Sequence, residues 1–182
     1  MTDPDRQIRR ISRLMRALIA VIATVLVGAM LWFVVLAASD DAAFDRTFLS
    51  VTGHTHPVTV TPPVRFAALA VAGVGFSIFA FALHALWRFF GAFAAGDPFA
   101  SASALWLRRA GLAFLANAAF GVVGQAAVTM LTTMNNPPGQ RMLAVGFGSN
   151  EALSLLMAGV LFAVGHMAVL AGALVEENRS FV

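Results

Sequence analysis

Long uncharged runs alternate with short polar segments along the whole chain. Four runs, over residues 17–38, 66–87, 110–131 and 152–175, contain no arginine, aspartate or glutamate. Each reaches the roughly 20 residues that a helix needs to cross about 30 Å of hydrocarbon. Because lipid offers no hydrogen bonds to the backbone, runs of this length are predicted to be helices rather than strands. The pattern therefore predicts an all-α, polytopic membrane protein with four transmembrane helices in an up-down bundle.

The predicted spans are distributed over nearly the whole chain, so we expect one membrane domain over residues 1–182. The first run is longer than the apolar region of a cleaved signal peptide, which covers about 7 to 15 residues, and we expect an uncleaved anchor. With their interfacial flanks, the spans are predicted over about 14–38, 66–90, 106–132 and 151–175.

Composition supports a membrane environment. Hydrophobic residues make up 59% of the chain and charged residues 12%, whereas about a quarter of the residues in soluble domains are charged. A soluble fold of this size would expose large apolar patches to water. The lipid bilayer is therefore the first partner that the sequence predicts.

The placement of arginine predicts the orientation of the spans, since the chain contains no lysine. By the positive-inside rule, both termini and the 88–109 loop are expected in the cytoplasm, with the 39–65 and 132–151 loops outside. The net charge of +3 is then mainly a topology signal. The sequence contains no basic stretch with interleaved aromatic residues, so direct nucleic-acid binding is not expected. The arginines expected inside are Arg6, Arg9, Arg10, Arg13, Arg16, Arg88, Arg108, Arg109 and Arg179, and those expected outside are Arg46, Arg65 and Arg141.

A polar island, "AAGDPFASASALWLRRAG" over residues 94–111, separates the second and third spans. Gly96 allows a tight bend, Asp97 and Pro98 form a turn-initiating pair, and a following serine can cap the next helix. The island is therefore predicted to be a structured cytoplasmic hairpin.

Aromatic and basic residues flank this hairpin. Trp87 and Trp106 are expected to anchor the two helix ends at the headgroup level, and Arg108 and Arg109 to extend toward lipid phosphates.

The tail "ALVEENRSFV" places Glu176 and Glu177 directly after the fourth span. Carboxylates at a helix C-terminus oppose the helix dipole and face an anionic membrane surface. We expect either that they pair with arginines on the same side or that they are simply solvated, in which case a pair is worth about 0 to 1 kcal/mol. The candidate partners are Arg88, Arg108, Arg109 and Arg179.

These segments together resemble the Domain of Unknown Function 2975 family of small bacterial membrane proteins. The resemblance rests on Gly96, Pro98 and Phe99 of the turn, on residues 107–111 at the next helix start, and on the tail over 176–182. It covers the second to fourth spans, whereas the first span matches by hydropathy alone. The resemblance implies a four-helix protein of the bacterial inner membrane, a cytoplasmic helix-turn-helix regulator as partner, and no established activity.

Catalytic groups are sparse in the sequence. Cysteine is absent, which excludes thiol nucleophiles, disulfides and thiolate metal sites. Gly73 and Gly75 lie inside a predicted span, where small residues favour close helix packing over nucleotide binding. Such small-residue stripes suit a homo-oligomer and intramolecular contacts equally well. The chain is expected not to be an enzyme and to need no cofactor.

The outer loop contains the weak metal candidates His54 and His56, near Asp40, Asp41 and Asp45. Two histidines two residues apart share one face of an extended segment, but they leave a metal site incomplete. We expect ordinary surface residues here and no metal.

Two histidines and two carboxamide side chains lie within the predicted spans. His84 and His166 are in different helices, a pattern that suits a haem or a proton path, although their predicted depths differ by about 6 Å at about 1.5 Å per residue. Asn117 and Gln125 can form hydrogen bonds between helices. Packing and hydrogen bonding are the favoured roles of all four.

Two functions follow from the sequence. The favoured one is a non-enzymatic sensory or regulatory membrane protein that acts through its cytoplasmic hairpin and tail. The alternative is a small haem-binding or proton-coupled transport protein that uses His84 and His166.

Overall fold

The computed structural model describes the backbone of residues 3–52, 61–95 and 101–180, and side chains over 7–50, 61–95, 103–171 and at 173. The described residues are helical except at the helix junctions and over residues 134–148. The helices are α1 (Asp3–Ser39), α2 (Asp41–Thr52), α3 (Pro62–Ala95), α4 (Ser101–Thr133) and α5 (Ser149–Ser180).

Four of the helices are long and apolar enough to cross a membrane: Gln7–Ser39, Pro62–Ala95, Ser103–Thr133 and Ser149–Ala171. The predicted all-helical class and the four apolar helices are therefore confirmed. The helices extend beyond the predicted spans, since α3 begins four residues before residue 66. The chain is a multi-pass membrane protein by the length and composition of its helices.

Local capping explains where the helices begin. The Asp40 carboxylate accepts a hydrogen bond from the Ala43 N–H at 2.9 Å, so Asp40 caps α2. Pro62 occupies the first turn of α3, where a missing N–H costs nothing, and the Thr61 carbonyl accepts the Arg65 N–H. At the start of α5, Glu151 accepts the Gly148 N–H at 2.8 Å, as the third helical residue does in a capping box.

Neighbouring long helices run antiparallel in a row. α3 packs against α1 and α4, and α4 packs against α3 and α5, with α2 against α1. Within the described part of the chain, α1 contacts neither α4 nor α5, and α3 does not contact α5. The helices therefore form an open, curved row rather than a closed ring. We call the end where residues 96–100 connect α3 to α4 the hairpin end, and the opposite end the loop end.

Small residues let the middle of this row pack closely. Four alanines here are at most 2% exposed: Ala82 and Ala85 of α3, Ala110 of α4 and Ala158 of α5. They form one cluster with leucine and phenylalanine side chains from the same helices. Large apolar side chains on the outer faces, such as Val25 and Leu156, remain exposed, as expected where lipid replaces water.

A second apolar cluster holds α2 at the loop end. Phe44 and Phe48 of α2 pack with Ala37 of α1 and Ala68 of α3, and Phe44 is 1% exposed. The Phe44 and Phe48 rings are stacked with centroids 5.8 Å apart. The segment after the first span was expected only as a loop, so α2 is an additional element.

Candidate functional site

A groove of about 820 Å³ lies on the concave side of the row, toward the loop end. Its floor is α3, its walls come from α1 and α4, and α2 closes part of one end. Because α1 and α4 do not contact each other within the described residues, the groove lies between them. Most of its lining is apolar, and the principal lining side chains are Leu26, Met30, Phe33, Phe44, Ala68, Ala72, Phe76, Phe120 and Val128.

The non-helical segment 134–148 runs back along α4 into this groove. The Thr133 hydroxyl donates to the Met142 carbonyl and accepts the Met142 N–H, both at 3.1 Å. Further along, a Cβ on Gly146 would lie 2.9 Å from Oε1 of Gln125. Met142, Ala144 and Gly148 of this segment line the groove.

Glu151 brings a carboxylate to the wall of the groove. One oxygen, Oε2, accepts the Gly148 N–H. The other, Oε1, lies against α4 at Gly121, and a Cβ on Gly121 would overlap it. Gly121 therefore makes room for this carboxylate. In the described part of the chain, Glu151 forms no ion pair.

A buried arginine fixes α2 over the same end of the groove. Arg65 of α3 is 4% exposed and forms an ion pair with Asp41, with Asp45 3.6 Å away. Its guanidinium also donates to the Ala37 carbonyl at 3.3 Å and lies 5.1 Å from the centroid of the Phe44 ring. This one side chain therefore connects α1, α2 and α3, and we call the group the Arg65 clasp.

At the hairpin end, arginines stack on tryptophan. Arg88 of α3 lies 5.1 Å and Arg109 of α4 lies 4.6 Å from the centroid of the Trp106 ring, which His84 contacts edge-on. Arg16 of α1 lies 4.3 Å from the centroid of the Trp87 ring. Trp87 therefore contacts one guanidinium group and Trp106 contacts two. Both tryptophans are predicted from the sequence to be interfacial anchors.

The structure does not bring His84 and His166 together. They belong to α3 and α5, which make no contact within the described residues, and both side chains are exposed. His84 instead lines a smaller pocket of about 290 Å³ between α1 and α3. Among the described residues, Asn117 of α4 forms no hydrogen bond with either histidine; its amide donates to the Ser154 hydroxyl of α5 at 3.2 Å.

Several predicted site residues lie outside the described part of the chain. Their pairing or binding therefore stays a prediction. Arg108 is described, and its side chain packs beside Gly165 of α5, where a Cβ would lie 3.1 Å from Cγ. No group of three histidine, aspartate or glutamate side chains that could hold a metal occurs among the residues searched. The residues outside are Gly96, Asp97, Pro98, Phe99, His54 and His56, together with the side chains of Glu176 and Glu177.

Sequence reasoning missed the groove and the Arg65 clasp. From the sequence, Arg65 is predicted only as one of the arginines outside, although in the structure it lies near Asp41 and Asp45. Glu151 was assigned to an outer loop, yet its carboxylate contacts the side of α4. Both features depend on which helices are neighbours, and periodicity within one helix does not reveal that.

Comparison of the chain with protein-family models, curated proteins and solved structures yields no match.

Proposed function

We propose that the chain is a non-enzymatic sensory membrane protein, in which the groove takes up a ligand and the hairpin end transmits the signal. The observation behind this proposal is that α3 and α4 each extend from the groove to the hairpin end. Both helices line the groove near the loop end, and both continue to the segment 96–100 that joins them at the hairpin end.

A rigid helix can transmit a change over that distance. Ala72 in the groove floor and Ala95 at the end of α3 are 23 residues apart, or about 35 Å at about 1.5 Å per residue. A ligand that separates α3 from its neighbours near Ala72 would therefore tilt or shift α3 at the hairpin. Such a ligand acts by favouring one of two arrangements of the packed helices.

The hairpin end also carries the groups that suit a regulatory contact. The motif of Gly96, Asp97, Pro98 and Phe99 is adjacent in sequence to α4, whose first turns hold the Trp106 and Arg109 stack. We propose a cytoplasmic helix-turn-helix regulator as the partner, in line with the resemblance to the Domain of Unknown Function 2975 family. The tail with Glu176 and Glu177 is proposed to contact the same face.

The proposal requires the hairpin end to face the cytoplasm of an inner membrane. Exposed arginines of α1 support this orientation, because the hairpin end carries most of the positive charge. The chain has no cysteine, so single cysteines can be introduced without background labelling. In intact cells, a membrane-impermeant maleimide should label Asn135→Cys and should label Arg10→Cys only after lysis. The reverse pattern would refute the orientation.

The regulatory role is tested in the native host. Residues 96–100 are replaced by a glycine-serine segment of equal length, and a control variant receives the same replacement at 137–141 in the opposite loop. RNA sequencing then compares both strains with the deletion strain and the parent, after immunoblots confirm equal amounts of protein in the membrane.

The hairpin variant is expected to reproduce the expression changes of the deletion, and the control variant is expected to match the parent. A hairpin variant that matches the parent would contradict signalling through this segment. An unchanged transcriptome in the deletion strain would contradict the regulatory role itself.

A further inference from the structure

We propose that the groove binds a single-chain amphiphile with a primary ammonium group, and that the carboxylate of Glu151 holds this group. The inference rests on the proposed function, since it names the class of molecule that the groove takes up. Three features of the groove lead to it: a carboxylate without a cationic partner among the described residues, the position of that carboxylate against α4, and the apolar volume beside it.

The carboxylate of Glu151 lacks a cation. It is half-buried, and within the described residues no arginine pairs with it. The arginine of the adjoining loop, Arg141, is exposed and donates instead to the Asn136 carbonyl at 3.3 Å. The capping bond to Gly148 occupies Oε2, whereas Oε1 is turned toward α4 in the space left by Gly121. A positively charged ligand is the chemistry that compensates such a group.

The carboxylate also lies against the side of α4. It contacts α4 at Gly121, which is 12 residues before the end of α4 at Thr133, or about 18 Å along the helix axis. Because Glu151 is the third residue of α5, its side chain lies between the start of α5 and the apolar surface of α4. A carboxylate in such a position gains from pairing with a cation.

The space beside Glu151 suits an alkyl chain. The groove volume of about 820 Å³ lies within the roughly 300–1,000 Å³ of pockets that hold small ligands. The groove is also lined by apolar side chains such as Met30, Phe33 and Phe76. A chain placed there buries apolar surface, while the ammonium group reaches the carboxylate. Charge and shape together therefore favour an amphiphilic cation over a free metal ion.

Gln125 adds a second acceptor near the carboxylate. It lines the groove one turn beyond Gly121, and its side-chain oxygen lies beside Gly146 of the loop. A primary ammonium group has three donors, so it can bind the Glu151 carboxylate and an amide oxygen at once. A quaternary ammonium group has no N–H to donate and is expected to bind more weakly.

The test measures equilibrium binding of radiolabelled dodecylammonium to the full chain in a neutral maltoside detergent, by scintillation proximity. Four proteins are compared: the parent, Glu151→Gln, Asp40→Asn and Ala72→Phe. Glu151→Gln keeps an acceptor for the Gly148 N–H and removes the charge. Asp40→Asn is the matched control, because it removes an exposed carboxylate outside the groove and keeps a residue that caps α2 well.

The parent is expected to bind saturably, and Asp40→Asn is expected to bind equally. Glu151→Gln should weaken binding at least tenfold, and Ala72→Phe should reduce it by filling the groove floor. Equal binding by Glu151→Gln and Asp40→Asn would overturn the assignment of Glu151. Absence of saturable binding to the parent would overturn the proposal as a whole.

Competition on the parent protein needs no variant. Unlabelled dodecylammonium should displace the probe at concentrations at least tenfold lower than 1-dodecanol. If the neutral alcohol competes equally well, the ammonium assignment is wrong while a binding groove remains. The expression experiment on the 96–100 segment uses no ligand, so failure of the ligand class and failure of the sensory function give separate results.

Discussion

Substitution of Arg65 by alanine should release α2 from the rest of the protein. Arg65 is almost completely buried and is the one side chain of the clasp that contacts Asp41, the Ala37 carbonyl and the Phe44 ring. Its loss therefore removes a charged hydrogen bond, an ion pair and a cation–π contact together. The apolar contacts of Phe44 and Phe48 remain, so we expect local undocking of α2 rather than loss of the fold.

The expected change in the free energy of α2 opening follows from the contacts that Arg65 makes with α2. The bond to the Ala37 carbonyl joins α3 to α1 and does not hold α2. The cation–π contact with Phe44 of α2 is worth about 1 kcal/mol, and the ion pair adds about 0 to 1 kcal/mol, because the side chain of Asp41 is 75% exposed and screened by water. We expect the free energy of local opening to fall by about 1 to 2 kcal/mol, which corresponds to about 5- to 30-fold in the opening equilibrium.

The assay is hydrogen–deuterium exchange of the α2 amides in lipid nanodiscs, followed by mass spectrometry of peptides. Local opening governs the exchange of such amides. The matched control is Arg46→Ala, since Arg46 is exposed on α2 and its Nε donates only to the Ala42 carbonyl one turn earlier. Exchange in α2 should rise by up to about 30-fold for Arg65→Ala and should barely change for Arg46→Ala. Equal exchange in the two variants would refute the clasp.

Three further substitutions test other contacts. Gly121→Ala should lower the free energy of unfolding by about 1 to 3 kcal/mol, because the added Cβ would overlap the Glu151 carboxylate. Gly159→Ala is the control and should not destabilise, because no atom lies within 4 Å of its added Cβ. Equal melting temperatures of the two variants would contradict the packing. Asn117→Ala should cost about 0.6 to 2 kcal/mol in SDS unfolding, and an unchanged midpoint would argue against its bond to Ser154. Trp106→Ala should loosen Arg88 and Arg109, so limited trypsin cleavage after both arginines should be faster; unaltered cleavage would count against the stack.

The four apolar helices could be predicted because the signal for each is local. A run of about 20 uncharged residues must form a helix in lipid, whatever its neighbours are. The exact ends were less accessible, since α3 begins at Pro62 and α1 begins at Asp3, within charged sequence. Helix ends depend on capping and on water, and hydropathy does not report either of them.

α2 and the groove could not be predicted with the same rules. α2 spans only 12 residues, too few to be stable as an isolated helix. It is held by Phe44 and by Arg65, which lies 21 residues further along the chain. A local signal did exist, because Asp40 is a favourable cap and Phe44 and Phe48 are spaced by one helical turn. The groove requires α1, α3 and α4 to meet in one order, which no single segment encodes.

The site residues divide in the same way. Trp106 and Arg109 were predicted at the membrane interface from their position alone, and the structure places them in contact. Asn117 forms a bond between helices, as its polarity within a span indicates. Glu151 was taken for a loop residue because the sequence cannot show that residues 134–148 turn back along α4.

The groove and the hairpin end are proposed to be mechanically coupled, and one distance measurement tests this coupling. Spin labels on Arg10→Cys of α1 and Leu105→Cys of α4, both exposed near the hairpin end, report the spacing of the two helices by double electron–electron resonance. The pair is measured in the cysteine-free parent, with Ala72→Phe to fill the groove, and with Ala163→Phe as a control on an exposed face of α5 that does not line the groove. Ala72→Phe alone is expected to shift the distance distribution; identical distributions in all three proteins would contradict the coupling.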